Sequence, residues 1–301
     1  MPTFSSSFVF GGTRYFYTMV GTNPATATTR TTTTIPTEIV PVTLVFDDGT
    51  VFDPTKDVQG LIASPLFRRA SFAAGNTQYG DALMRSEFWK FAQGSGYHVM
   101  LGQPTVLAGV TAHPHANGRT VVSNGSKLGL VTFSWFIPNV EKPELSKPGV
   151  KFKSLIFFVT ADTRVLEGAI NTTTTFGGYH DSLDQSTSSG IANFGTIWGA
   201  MFTANPHDVT HVGHEVAEWL NDPFYPTAIN TVPCWRHPQT NKPDSTQLEV
   251  GDPVATVLFT KSGYTFEDAA FLSWFAHDSP SIGINGQYDL LGQLPSHAAS
   301  C

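Results

Sequence analysis

The chain has 301 residues, of which 41% are hydrophobic and 14% charged, and its formal net charge is −7. This composition excludes a disordered chain, which carries few apolar residues and much charge. Lys and Arg form no cluster, so binding to nucleic acid or to an anionic membrane surface is excluded. The longest apolar run, residues 155–159, is far shorter than the ~18–20 residues that span a bilayer.

Strand and helix signals alternate through the first two thirds of the chain. Residues 80–93 predict a helix, because Leu83, Met84, Phe88 and Phe91 follow helical spacing. The strands are predicted at 38–46, 97–100, 105–112, 129–136, 155–160 and 196–202. The continuous apolar run at 155–159 favours a central strand that is buried on both faces.

These elements predict an α+β fold with a β-rich N-terminal part. We expect a single domain over residues 1–301, because no internal repeat and no clear linker divide the chain. The best candidate for a subdomain junction lies near 138–150, where three prolines occur among alternating charges.

A second helix carries the most informative pattern in the sequence. Asn205 and Pro206 are typical of a helix start, and Asp222-Pro223 is typical of a helix end. Within these limits one face is apolar and predicts the core stripe. It consists of Val209, Val212, Val216, Trp219 and Leu220.

The opposite face of this helix gathers imidazoles and carboxylates without any Lys or Arg. These residues are His207, His211, His214, Glu215, Glu218 and Asp222. Like charges one turn apart destabilise a helix by a few tenths of a kcal/mol per pair. A divalent cation would reverse that repulsion, so we expect a metal site here; a bland alternative is a face that is simply solvated.

The segment His214-Glu215-Val216-Ala217-Glu218 resembles the H-E-x-x-H signature of the zincin metallopeptidases, with Glu in place of the second His. The resemblance implies a zincin-like mixed sheet packed on the metal-carrying helix. It also implies His214 and Glu218 as metal ligands and Glu215 as the general base. Because one imidazole and two carboxylates form a harder donor set, zinc is expected but manganese or calcium also fits.

The third ligand is expected downstream, as it is in zincins. Our prediction is Glu249 as ligand with Asp252 in support, both from the segment 247–252. His180 and His237 are weaker candidates. His113 and His115, in a loop flanked by proline, are weaker still.

Residues 199–202 lie just before the metal helix, where zincins place the edge strand that aligns the substrate. The combination of 214–218, Asn221-Asp222-Pro223 and 249–252 is also distantly similar to a group of secreted proteins that includes the plant phosphate-induced (EXORDIUM-like) proteins. These likenesses rest on about 50 residues, roughly 205–255. Residues 266–275 predict a short aromatic helix of the core.

Two functions follow from these patterns. The first is a metal-dependent hydrolase of the peptidase type, with a peptide or other polymer as substrate. The second is a non-catalytic secreted protein with a structural metal, which binds glycans or a cell-wall partner. The aromatics Trp198, Trp219, Trp235 and Trp274 either supply stacking surfaces for this partner or are buried, which is the commoner case.

The two cysteines, Cys234 and Cys301, either form a disulfide or remain free thiols. A disulfide, together with the low Lys content and the high Thr and Ser content, favours an exported protein. The first residues lack the basic start and the apolar stretch of a signal peptide, so either the protein stays inside the cell or a leader has been removed.

Overall fold

The computed structural model describes residues 1–301 except 30, 124, 148, 152, 188, 189, 228 and 245, and the side chains of 185–193 are not described either. The strands are β1 Thr3–Phe10, β2 Thr13–Val20, β3 Thr32–Ile35, β4 Thr37–Val45, β5 Val51–Phe52, β6 Ala70–Phe72, β7 Gly75–Thr77, β8 His98–Leu101, β9 Thr105–Val106, β10 Val110–Ala112, β11 Gly118–Ser123, β12 Ser126–Thr132, β13 Leu155–Ala161, β14 Thr163–Leu166, β15 Thr175–Phe176, β16 Gly178–Thr187, β17 Gly190–Met201, β18 Leu258–Lys261 and β19 Tyr264–Glu267. The α-helices are α1 Thr55–Ala63, α2 Tyr79–Glu87, α3 Trp89–Ala92, α4 Phe133–Phe136, α5 Lys142–Leu145, α6 Thr210–Asn221 and α7 Leu272–Phe275. The fold therefore mixes helices with several separate sheets.

The largest sheet has the strand order β10-β4-β13-β17-β16. Its strands β10, β4, β13 and β17 run parallel, and β16 pairs with β17 in the antiparallel sense. Every residue of β13 is buried, as the apolar run in its sequence predicts. In the described sheet, the antiparallel β16 forms the edge beside β17.

Two hydrophobic cores cover the two faces of this sheet. Helices α2 and α6 and the C-terminal segments pack into one core, which includes Val216, Trp219 and Phe266. The other core includes Val140 and Leu145, so part of the segment near 138–150 packs against the sheet. Residue 148 of that segment lies outside the described residues.

The helix α6 forms because its apolar residues recur at helical spacing, and the whole predicted stripe from Val209 to Leu220 is buried. The helix begins at Thr210 and not at Asn205-Pro206, where the sequence predicted its start. The backbone of His207 and Val209 instead bonds to Thr265, and the Asp208 carboxylate accepts from the backbone N–H of Thr210. The predicted end before Pro223 is confirmed, since α6 stops at Asn221.

Three further expectations about elements are wrong. The strand predicted at 129–136 ends at Thr132, because Phe136 and Val140 lie one helical turn apart on a buried face. The helix predicted at 266–275 covers only Leu272–Phe275, since Phe266 belongs to β19. Residues 199–201 lie in the interior strand β17, so the sheet edge beside α6 is β16 rather than the strand that precedes this helix.

The structure contains the disulfide between Cys234 and Cys301, whose Cα atoms are 5.5 Å apart. It closes a loop with a sequence separation of 67 residues. Restricting such a loop in the unfolded chain stabilises the fold by about 4 kcal/mol. We therefore expect the double substitution Cys234→Ser with Cys301→Ser to lower the free energy of unfolding by about that amount, measured in urea. An unchanged unfolding midpoint would contradict this expectation.

Glu87 is buried to 1% exposure, and burial raises its pKa to about 8. In the unfolded chain Glu87 loses its proton near its ordinary pKa of ~4.5, whereas in the folded chain it keeps the proton up to about pH 8. Rising pH therefore favours the unfolded state between pH ~4.5 and about 8. Glu87→Gln should abolish this dependence, and its stability relative to wild type should improve by about 2–3 kcal/mol from pH 5 to pH 7. Urea titrations at both pH values test this, with Glu167→Gln at an exposed site as the control. The expectation would be refuted if the difference in unfolding free energy between Glu87→Gln and wild type were the same at pH 5 and pH 7.

Within the described residues, no helix combines the length and the apolar character needed to cross a membrane.

Candidate metal centre

His214 and Glu218 lie one turn apart on α6, and their side chains converge. The distance from His214 Nε2 to Glu218 Oε1 is 3.1 Å, and His214 Nε2 lies 3.7 Å from Asp252 Oδ1. Glu218 Oε1 also accepts a hydrogen bond of 3.1 Å from the backbone N–H of Gly251. The predicted ligand pair is thus brought together, with Asp252 beside it.

The other ring nitrogen of His214 is fixed by a residue that the sequence did not indicate. His214 Nδ1 lies 2.7 Å from Glu267 Oε2 at the end of β19. The second oxygen of Glu267 accepts from the backbone N–H of Thr256. A carboxylate that accepts from Nδ1–H leaves the lone pair of Nε2 free for a metal, which is the usual arrangement around a histidine ligand.

A second histidine, His180 on the edge strand β16, contacts Glu218 as His214 does, and also contacts Glu215. His180 Nδ1 lies 3.4 Å from both Glu215 Oε2 and Glu218 Oε2. The ring of Tyr225 covers His180 at a centroid distance of 4.9 Å. Glu215, the predicted base, is therefore next to His180 and Glu218.

Glu249, the predicted third ligand, is in neither of the two described groups whose ligand atoms lie within 4.8 Å of one another, whereas Asp252 is in the group of His214 and Glu218. Burial and the negative charge of Glu218 raise the pKa of Glu249 well above its ordinary value. Partial burial and the charge of Glu218 likewise raise the pKa of Asp252. At the C-terminus of α6, burial raises the pKa of Asp222 to about 7, against the nearby imidazole of His180.

The remaining predicted histidines lie elsewhere. The His211 ring packs against Phe202 and Gly177, and burial lowers its pKa to about 4. His237 pairs with Asp244, and His115 bonds to Asp47 at the surface, where its ring stacks on His113. His207 lies before α6 and is exposed.

The face of α6 that carries these groups is buried rather than solvated, which overturns the blander reading of the sequence. His180, Glu215 and Glu218 are 3%, 5% and 4% exposed. The side chain of Asp252 is 39% exposed, so the cluster opens to solvent on that side. The expectation that aromatic side chains offer a glycan surface is also wrong: Trp198, Trp219, Trp235 and Trp274 are all buried.

The carboxylates of this cluster stabilise positive charge on the imidazoles among them. Burial would lower the pKa of His214, but Glu218 and Glu267 raise it well above its ordinary value. Burial would raise the pKa of Glu218, but His214 and His180 lower it. The ion pairs described for the cluster are made by these two histidines alone. The six carboxyl groups that surround the imidazoles are Glu215, Glu218, Asp222, Glu249, Asp252 and Glu267.

The donor set fits a divalent cation. Two triads have ligand atoms that all lie within 4.8 Å of one another: His180 with Glu215 and Glu218, and His214 with Glu218 and Asp252. Ligands 2.0–2.2 Å from a tetrahedral ion are about 3.4 Å apart, and the four distances between imidazole nitrogens and carboxylate oxygens in the triads run from 3.1 to 3.7 Å. Nitrogen and oxygen donors in this mixture suit zinc, and the excess of carboxylate also admits manganese or calcium.

Close backbone approach holds the triads in place. A Cβ on Gly178 would lie 2.7 Å from Glu215 Cγ, and a Cβ on Gly251 would overlap the His214 imidazole. Gly251 has ordinary helical backbone angles, which any residue can adopt. Glycine fits at this position because it has no Cβ to collide with the His214 ring.

We expect Gly251→Ala to push the His214 ring away from Glu218. Overpacking of this kind costs about 1–3 kcal/mol of stability, and disturbing the support of a ligand lowers metal affinity by ~10–100-fold. Calorimetric zinc titration and urea unfolding measure the two effects. Gly213→Ala is the control, because its Cβ would meet Phe266 at 3.3 Å rather than His214. Equal zinc affinity in both variants would contradict the expectation.

No protein-family model matches this sequence, and neither the curated proteins nor the solved structures include a significant match to it.

Proposed function

We propose that the protein is a metal-dependent hydrolase of the peptidase type. The proposal is carried by one observation, the orientation of His214. Its Nδ1 is bonded to Glu267, and its Nε2 faces Glu218 and Asp252. With a cation in place of the proton on Nε2, His214 would be an imidazole ligand supported by the Glu267 carboxylate.

The residues that would hold the ion are His214 and Glu218, with Asp252 or Glu249 as the third ligand. A bound divalent ion polarises a substrate carbonyl and lowers the pKa of water. Glu215 would accept the proton from that water. Burial and the charge of Glu218 raise the pKa of Glu215, and a general base works best when its pKa is near the working pH.

The arrangement around α6 supports the resemblance to zincins. The helix packs on β17 and on the antiparallel edge strand β16. The edge strand of a sheet can pair with an extended peptide, so β16 would take the role of aligning the substrate. The change from His to Glu at Glu218 makes the donor set more anionic and the bound water less acidic than in a zincin with two histidines.

Export from the cell is part of the proposal. Disulfides persist in oxidising compartments, and the disulfide between Cys234 and Cys301 supports such a location. A peptide or another polymer in that compartment would be the substrate.

The first test is elemental analysis of the purified protein, combined with hydrolysis of a quenched-fluorescent peptide library. We expect at least one equivalent of zinc, manganese or calcium per chain, loss of hydrolysis after chelation, and recovery when the metal is restored. Hydrolysis by metal-free protein would overturn the proposal.

A second candidate is a non-catalytic protein with a structural cation. The low exposure of His180, Glu215 and Glu218 favours it, because catalytic ions need an open position for substrate. Under this alternative the metal is retained and stabilises the fold, but no peptide in the library is cleaved.

A further inference from the structure

Glu218 uses its two oxygens in two different directions. Its Oε1 faces His214 and its Oε2 faces His180, at 3.1 and 3.4 Å. The two triads therefore share this one carboxylate, with an imidazole on each side of it. A carboxylate can bind one metal ion through each of its two oxygens, and the ions of two-metal sites lie about 3.5–4 Å apart.

The His180 side of this arrangement has the features of a separate ligand position. The His180 imidazole is 3% exposed, and its Nδ1 lies 3.4 Å from one carboxylate oxygen of Glu215 and 3.4 Å from one of Glu218. The ligand atoms of these three residues all lie within 4.8 Å of one another. The ring is held by Tyr225, and the backbone at Gly178 leaves Glu215 little room to turn away.

The charges also provide for more than one cation. The two triads hold three carboxylates, those of Glu215, Glu218 and Asp252. A divalent ion in each triad would pair every one of them with a cation, and cations paired with buried carboxylates lower the cost of burying them.

We infer that the cluster binds two divalent cations on opposite sides of Glu218, and that the second, held by His180, Glu215 and Glu218, inhibits the enzyme. The inhibition rests on the proposed function, because a cation bound to Glu215 occupies the carboxylate that would otherwise accept the proton from water. The second binding position itself does not depend on hydrolysis.

Zinc binding to the full chain tests the inference. We expect calorimetric titration and elemental analysis to give two equivalents for the wild type and one for His180→Ala. His207→Ala removes an exposed histidine just before α6 and should keep both equivalents. Peptide hydrolysis by the wild type should fall as the second equivalent of zinc binds. Hydrolysis by His180→Ala should stay at the rate that this variant has with one equivalent of zinc.

If His180→Ala does not fold, Glu215→Gln provides the second variant and should also lose one equivalent of zinc. One equivalent at saturation in the wild type would overturn the inference while leaving the proposed hydrolase intact. Two equivalents in both variants would overturn the assignment to His180 and Glu215. No bound zinc, manganese or calcium at all would overturn the inference together with the proposed function.

Discussion

Replacing Glu215 by glutamine should reduce peptide hydrolysis by about 10²–10⁴-fold, the contribution of a positioned general base. The glutamine side chain has the same shape but cannot accept the proton from water. Because His214, Glu218, Asp252 and Glu249 are unchanged, the variant should still bind its first equivalent of metal.

Glu141→Gln is a matched control for this experiment. Glu141 is a buried carboxyl that accepts a hydrogen bond of 2.7 Å from the Tyr179 hydroxyl, and burial raises its pKa to about 8. It lies in the core on the other face of the sheet, so hydrolysis should be kept. If Glu215→Gln is as active as the wild type, the role of Glu215 as base is disproved. If neither protein cleaves any peptide and both hold metal, the structural-cation alternative is favoured.

The sequence predicted correctly those elements whose form depends on residues that are close together in the chain. The apolar spacing of α6, the stop at Pro223 and the fully buried strand β13 all follow from periodicity and burial. The convergence of His214 and Glu218 follows from the same helical geometry, since residues four apart lie on one face.

The errors arose where contacts between distant segments outweighed local preference. Asn205-Pro206 is a good helix start, but backbone pairing of His207 and Val209 with Thr265 holds this segment extended until Thr210. Aromatic residues at 266–275 suggested a helix, although a hairpin places the first of them in β19. Helix propensity is a weak preference that tertiary contacts override.

The same limit applies to the site. Glu267 meets His214 across 53 residues, and His180 meets Glu215 across 35. No periodicity links such residues. The Gly177-Gly178 pair before His180 was the one available signal, because glycines in a strand often mark a close backbone approach, and here they allow β16 to lie against His211 and Glu215.

Removal of the metal should lower the stability of the fold. A ligand that binds only the folded state adds about 4 kcal/mol to the free energy of unfolding when its free concentration is 1,000 times Kd. Chelation should remove this stabilisation and leave the carboxyl groups around His180 and His214 without a cation. The measurement is urea unfolding with zinc and with chelator, at one pH and one ionic strength.

The variant Glu218→Gln distinguishes stabilisation by an ion bound at this site from a general effect of zinc on unfolding in urea. Glu218 contacts His214, His180 and the backbone N–H of Gly251, so both triads depend on it. Glutamine can accept through one oxygen only, and its amide would turn N–H donors towards one of the imidazoles. The variant should therefore unfold at the same urea concentration with zinc or with chelator. A wild-type protein that is equally insensitive would show that these imidazoles and carboxylates are balanced by shared protons rather than by a metal.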